Sequence, residues 1–158
     1  MKKLAACVLV TLFAVTAHGS TFVERVSSYT YCQGYNGASV DYYRGLSNLS
    51  GVSIALYCGL PTTDYDASDL NTIFAYVFDY NDAVSVSGRI CFTTYSSTGS
   101  MSCGASVYSG TTFTGFSSLQ IYPPSGTYTS SFLPLLRVAM PSYDIRESSF
   151  KGFSIYKD

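Results

Sequence analysis

A chain of 158 residues with a formal charge of −1 and only 12% charged residues has no basic stripe to hold a phosphate backbone, which argues against nucleic acid as a partner. Its one histidine, His18, falls at the end of a leader segment, so Ser–His–Asp and Cys–His nucleophiles and histidine-held metal centres are set aside as well. Tyrosine is abundant, with 15 copies, and tryptophan is missing.

Met1-Lys2-Lys3 is a short positive start, and Leu4 to Val15 is an apolar run long enough for a signal-peptide core but too short to anchor in a bilayer. Ala17-His18-Gly19 places small residues before a cut at Ser20. The expectation is a signal peptide over residues 1–19 and one exported domain over 20–158, extracellular or periplasmic, with no anchor after cleavage. Cys7 does not make a lipoprotein box, because the apolar core follows it instead of preceding it. Its removal leaves Cys32, Cys58, Cys91 and Cys103, an even set that should pair in an oxidising compartment with three connectivities open. No C-x-x-C pair supports zinc.

The exported part begins with a Gly/Asn-rich arm crowded by Tyr29, Tyr31, Tyr35, Tyr42 and Tyr43, too irregular in pattern for a buried strand. Exposed tyrosines give contact area and hydrogen bonds at low entropic cost, so these five are the candidate ligand-binding residues, for glycan or for a cell-surface protein. For any single ring the plainer reading is a strand residue whose hydroxyl reaches water. Ser39 to Arg44 reads as a first strand. Asn48-Leu49-Ser50 matches a glycosylation sequon and is read as a turn, the leader being bacterial in style.

Val52, Ile54, Leu56 and Cys58 then alternate with smaller or polar residues, the period of a half-buried strand. In the loop that follows, Asp64, Asp66 and Asp69 lie close enough to gather around calcium, although the spacing fails the EF-hand pattern. Asx turns and a single helical turn over Asp66 to Asn71 are the structural alternative, and no cofactor is required. Ile73 to Tyr80 carries aromatic and β-branched residues on both faces, which suits a central strand. Val84 to Phe92 alternates again, the turn Ser96-Ser97-Thr98-Gly99 follows, and Met101 to Val107 returns. Phe116–Tyr122, Phe132–Met140 and Ser148–Tyr156 complete the set, separated by Pro/Gly/Asn-rich turns. About eight short strands without a long helical stretch predict an all-β fold, an antiparallel β-sandwich of jelly-roll or Ig-like type.

The hairpin offers a testable bridge. If Cys91 faces Cys103, the turn centre falls at Ser97, inside the most turn-like segment, and Cys32 is left for Cys58.

The Tyr-rich arm with Cys32, the segment VSIALYCGLPTTDYDASDL, the strand TIFAYVFDYND, a hairpin with C-x11-C spacing and a final F-x-G-F-x-I-Y strand follow in that order. In this order the chain resembles a loose group of uncharacterised bacterial secreted β-sandwich proteins, Tyr/Ser-rich with two disulfides. The resemblance implies the same fold and cysteine pairing and transfers no catalytic residue.

One acid–base route survives the loss of histidine, a carboxylate pair of the glycosidase kind drawn from Glu24, Glu147, Asp64, Asp66, Asp69 and Asp79. Acids in turns are more often solvated turn-formers, so the expectation is a secreted, non-catalytic β-sandwich that binds carbohydrate or another surface ligand. The alternative is a structural or protein-interaction role, such as an inhibitor, a matrix component or a self-assembling unit.

Overall fold

The structure, a computed structural model, describes residues 20–34, 38–41, 45–61, 67–81, 83–94, 101–110, 115–126, 131–142 and 148–158. Residues 1–19, with Cys7 and His18, lie outside the described residues, as do Tyr35, Tyr42, Tyr43, Asp64, Asp66 and Glu147.

Alternating patterns become two stacked sheets. The strands are β1 (Thr21–Ser27), β2 (Cys32–Gly34), β3 (Ala38–Asp41), β4 (Gly45–Asn48), β5 (Ile54–Gly59), β6 (Leu70–Asp79), β7 (Ser87–Thr94), β8 (Met101–Cys103), β9 (Val107–Tyr108), β10 (Gly115–Ile121), β11 (Phe132–Met140) and β12 (Ser149–Lys157). One helical turn, α1 (Ser28–Tyr31), joins β1 to β2. The first sheet runs β10-β6-β12-β4-β3, with β1 also on β12; the second runs β2-β5-β11-β7-β8, with β9 also on β7. Every pairing is antiparallel. The chain crosses repeatedly from one sheet to the other, so neighbours in a sheet are mostly distant in sequence.

Period-two burial assigns the faces. In the first sheet Ile73, Ala75, Val77, Leu119, Ile121, Phe153 and Ile155 point inward; in the second, Leu56, Cys58, Ile90, Phe92, Leu136 and Val138 do. Bulk is matched across strands. Ala75 sits opposite both Leu119 and Phe153, so the small side chain makes room for two large ones. Full burial of such a side chain stabilises by about 1.5–3 kcal/mol.

The antiparallel sandwich expected from the sequence is thus found, with a correction to its strand count: the described residues form twelve strands, not about eight. The Met101–Val107 strand breaks at Gly104, whose backbone N–H donates to the Ile90 carbonyl at 2.9 Å, leaving β8 and β9 as separate pieces. The arm is more regular than its composition suggests, containing α1, β2 and β3. Gly, Ser and Asn hide β4 from a propensity reading, yet its four residues are all buried. The helical turn expected over Asp66 to Asn71 is replaced, where described, by a plain turn at Ala67–Asp69 and the start of β6 at Leu70.

Both disulfides join directly opposed residues: Cys32 with Cys58 between β2 and β5, and Cys91 with Cys103 between β7 and β8. They lie on opposite faces of the second sheet. Cys58 alternates with Leu56 toward the core, whereas Cys91 alternates with Ile90 and Phe92 away from it. Loop closure over 26 and 12 residues gives contributions of about 3.5 and about 3 kcal/mol. The double variant Cys32→Ala/Cys58→Ala is expected to lose more stability in urea unfolding than Cys91→Ala/Cys103→Ala. Its loop is longer, while the two short strands, β2 on β5 and β8 on β7, are held by the same number of residue pairs.

Two polar knots fasten the ends of the sheets. The fully buried Asp79 carboxylate, at the end of β6, accepts from the Asn81 and Val86 backbone N–H groups at 3.1 and 2.9 Å, from the Ser148 hydroxyl at 3.0 Å, and from the Ser109 hydroxyl. These four donors lie in segments that flank strands of both sheets. The buried Asn48 amide donates to the Val52 and Pro141 carbonyls at 2.9 and 2.6 Å, while its oxygen accepts from Ser50. The sequon is therefore a structural turn whose nitrogen is occupied within the fold.

Candidate functional site

The same alternation that sends Ile73, Ala75 and Val77 inward sends Phe74, Tyr76 and Phe78 to the outer face of the first sheet. The aromatic and β-branched residues expected on both faces are sorted, with the rings on the outer side and Ile73 and Val77 on the inner one. Register adds neighbours to them. On β10, Phe116 lies beside Phe78 and Ser118 beside Tyr76; on β12, Gly152 lies beside Tyr76 and Ser154 beside Phe74; on β1, Arg25 lies beside Ser154 and Phe22 beside Tyr156.

The rings touch in two runs across four strands. Phe22 meets Tyr156 edge-on at 5.6 Å, and Tyr156 meets Phe74 edge-on at 5.3 Å. Tyr76 stacks on Phe116 at 6.1 Å, and Phe116 meets Phe78 edge-on at 5.4 Å, with Tyr80 stacked beyond at 6.2 Å. Such pairs contribute roughly 0.5–1.5 kcal/mol each, which holds the rings as a preset surface. Phe22 and Phe116 are about half exposed, at 51% and 50%.

A cleft of about 530 Å³ opens in this face, lined by Arg25, Ser27, Tyr76, Phe116, Lys151 and Gly152. Its cause is a row of small residues around one large ring: Ser27, Gly152 and Ser118 occupy the register positions flanking Tyr76 from β1 to β10. The Tyr76 hydroxyl lies 2.9 Å from Ser154 Oγ, which fixes the ring's outer end. Two cations border the cleft. The Arg25 guanidinium lies 5.4 Å from the centre of the Tyr76 ring, and the Lys151 ammonium 5.4 Å from that of Phe78. The volume is in the range of small-ligand sites.

Among the ligand, metal and carboxylate candidates from the sequence, Glu24, Tyr31, Asp69 and Asp79 have described side chains, and none of these four lines the cleft. Tyr31 ends α1 and is exposed; Tyr29 lies in the same turn, where only its backbone is described. The patch expected of Tyr29, Tyr31, Tyr35, Tyr42 and Tyr43 falls mostly outside the described residues. Asp69 is exposed and accepts from the Ser68 hydroxyl at 3.4 Å. Among the described residues no three His, Cys, Asp or Glu side chains gather as metal ligands. Asp79 is too deeply enclosed to meet a substrate. The signal that marks the aromatic face was present in the sequence: Phe74, Tyr76, Phe78 and Tyr80 occupy every second position, with Ala75, Val77 and Asp79 between them.

The outer face of the second sheet differs. Arg137 and Arg89 oppose each other across β11 and β7, with Arg137 5.9 Å from the Tyr57 ring centre, and no comparable run of rings is found there among the described residues.

No protein-family model matches the chain, and no curated protein matches it. Among solved structures, a "Carbohydrate-Binding Module CBM36 in complex with calcium and xylotriose" is similar, with a TM-score of 0.50 at 14% identity, covering 85% of this chain and 100% of that one. This likeness is one of fold, a two-sheet antiparallel β-sandwich. Among the described residues no helix is long and apolar enough to cross a membrane.

Proposed function

We propose that the protein is an exported, non-catalytic module that binds oligosaccharide on the outer aromatic face of its first sheet. Two runs of rings, Phe22–Tyr156–Phe74 and Tyr76–Phe116–Phe78–Tyr80, with a cleft beside Tyr76, carry this reading. Sugar rings present apolar C–H faces that pack on aromatic side chains, and the exposed Ser118 and Gln120 supply hydrogen-bonding groups at register positions beside Tyr76 and Phe74. The fold neighbour, named as a carbohydrate-binding module, supports it. Export is supported by the two disulfides, which persist in oxidising compartments.

Phe116→Ala is the clean test, since this ring is half exposed and its loss leaves no core cavity. Removal of an aromatic anchor costs about 2 kcal/mol of binding, or roughly 30-fold in Kd. Calorimetric titration with oligosaccharides is expected to show that loss while the melting temperature falls by only a few degrees, from the two ring contacts removed. Unaltered affinity in Phe116→Ala, or no saccharide bound at all, would overturn the assignment.

Calcium, which the neighbour's name includes, enters as a second arm of the experiment. The cleft is lined by two cations and no carboxylate among the described residues, whereas Ca²⁺ takes six to eight oxygens. Chelation with EDTA is expected to leave saccharide binding through this cleft intact. A loss of affinity on chelation, restored by Ca²⁺, would move the site toward the loop of Asp64, Asp66 and Asp69.

A further inference from the structure

We infer that the cleft beside Tyr76 selects saccharides carrying anionic groups, uronate carboxylates or sulfate esters, over neutral ones. The inference rests on the carbohydrate reading above and specifies its ligand class. Arg25 and Lys151 are both exposed and border the same cleft, one from β1 and one from β12. Neither has an acidic partner among the described residues. The acid nearest in sequence, Glu24, shares the register position of Ile155, which points to the core, so it lies on the other face from Arg25.

Each cation is held by an aromatic face and aimed over the cleft. Arg25 lies over Tyr76 and donates its Nε–H to Ser154 Oγ at 3.5 Å, and Lys151 lies over Phe78. A guanidinium presents a planar fork that fits a carboxylate or sulfate, and an ammonium adds a point charge. The chain as a whole has a formal charge of −1, so a bare positive pair at a concave aromatic site is a local arrangement, not a reflection of general basicity. An anionic sugar between them would stack on Tyr76 and Phe116 while its charge meets the two cations. Only two cations border the cleft, too few for a nucleic-acid backbone.

The test titrates the full exported chain with oligogalacturonate, with a sulfated oligosaccharide, and with neutral xylo- and cello-oligosaccharides of equal length, at low salt and at about 0.5 M salt. At least one anionic series is expected to bind more than tenfold tighter than the neutral ones, with the preference shrinking at high salt. Arg25→Ala and Lys151→Ala should each lower anionic affinity about fivefold to tenfold more than they lower neutral affinity. Which anionic series wins separates carboxylate from sulfate recognition. Arg137→Gln, which removes a charge from the opposite sheet, should change nothing. Equal binding of neutral and anionic series, both abolished by Phe116→Ala, sinks the charge selection and leaves the carbohydrate reading standing. No binding of either series removes both. An effect of Arg137→Gln as large as that of Arg25→Ala also overturns the proposal, because it would show bulk electrostatics acting in place of the cleft.

Discussion

Replacing Asp79 with alanine is expected to lower stability by about 3–5 kcal/mol, a fall of about 10–15 °C in Tm for a domain of this size. The carboxylate is fully buried and is the common acceptor for four donors: two backbone N–H groups, of Asn81 and Val86, and two hydroxyls, of Ser109 and Ser148. Its removal leaves the two N–H groups buried without a partner, and an unmade buried hydrogen bond costs more than a made one contributes. Asp79→Asn is expected to be nearly as damaging, because its amide nitrogen would face donors. Ser109→Ala should cost only about 1 kcal/mol, since it removes one donor and leaves the acceptor served by three. Thermal and urea unfolding of the three variants would settle the matter. Equal stability of Asp79→Asn and the parent chain would show that the acceptor role is not what holds this corner.

The second large effect is expected at Gly152. Its φ of +149° is a conformation that side-chain-bearing residues rarely adopt, and a Cβ there would run into the Val26 carbonyl oxygen of β1. Conformational cost alone is about 1–3 kcal/mol, and the clash is with backbone, which cannot swing aside. Gly152→Ala is expected to cost about 3 kcal/mol or more and to loosen β1 from β12, seen as faster hydrogen exchange of the Arg25 to Ser27 amides. Gly110 provides the comparison. Its φ is +97°, but nothing lies within 4 Å of a Cβ built there, so Gly110→Ala should carry only the backbone cost. Equal losses at the two positions would show that close approach of β1 is unimportant. Because β1 carries Arg25 to the cleft, Gly152→Ala is also expected to weaken saccharide binding.

Gly152 and Asp79 show how stability and site share residues. The bulge in pairing between Phe150 and Gly152 keeps Phe150 and Phe153 both in the core, while Lys151 turns to the outer face. Without that irregularity the two phenylalanines, three apart, would fall on opposite faces. The glycine that permits it also leaves the floor beside Tyr76 bare. Asp79 follows the last outward ring of β6, Phe78, and anchors the strand that carries three of the rings.

Much of the fold was legible. The strands at Ile54–Gly59, Phe132–Met140 and Ser149–Lys157 fall within a residue or two of where alternation put them, because each has one apolar face and clear turn residues at its ends. The Cys91–Cys103 register followed from the hairpin, a local feature that chain geometry alone constrains. By contrast β1, β2 and β4 were not legible. TFVERVS sets Glu24 beside Arg25 and slips register between Phe22 and Glu24, which disturbs its alternation, and GLSN is turn-like in composition. Both become strands because β12 offers them an edge.

The aromatic face of the first sheet was missed for a related reason. Fifteen tyrosines drew attention to the crowded arm, whereas the rings that assemble come from β1, β6, β10 and β12, over a hundred residues apart at the extremes. By itself the sequence determined the period of each strand, hence which residues travel together on a face, and which cysteines could meet within a hairpin. It could not determine which of the two faces turns inward. Phe74, Tyr76 and Phe78 are the bulkier set and on size alone belong in a core. Only the tertiary structure turns them out, because Leu119, Ile121, Phe153 and Ile155 from neighbouring strands already fill the space between the sheets, and the strand between them fits only with Ala75 and Val77 facing in.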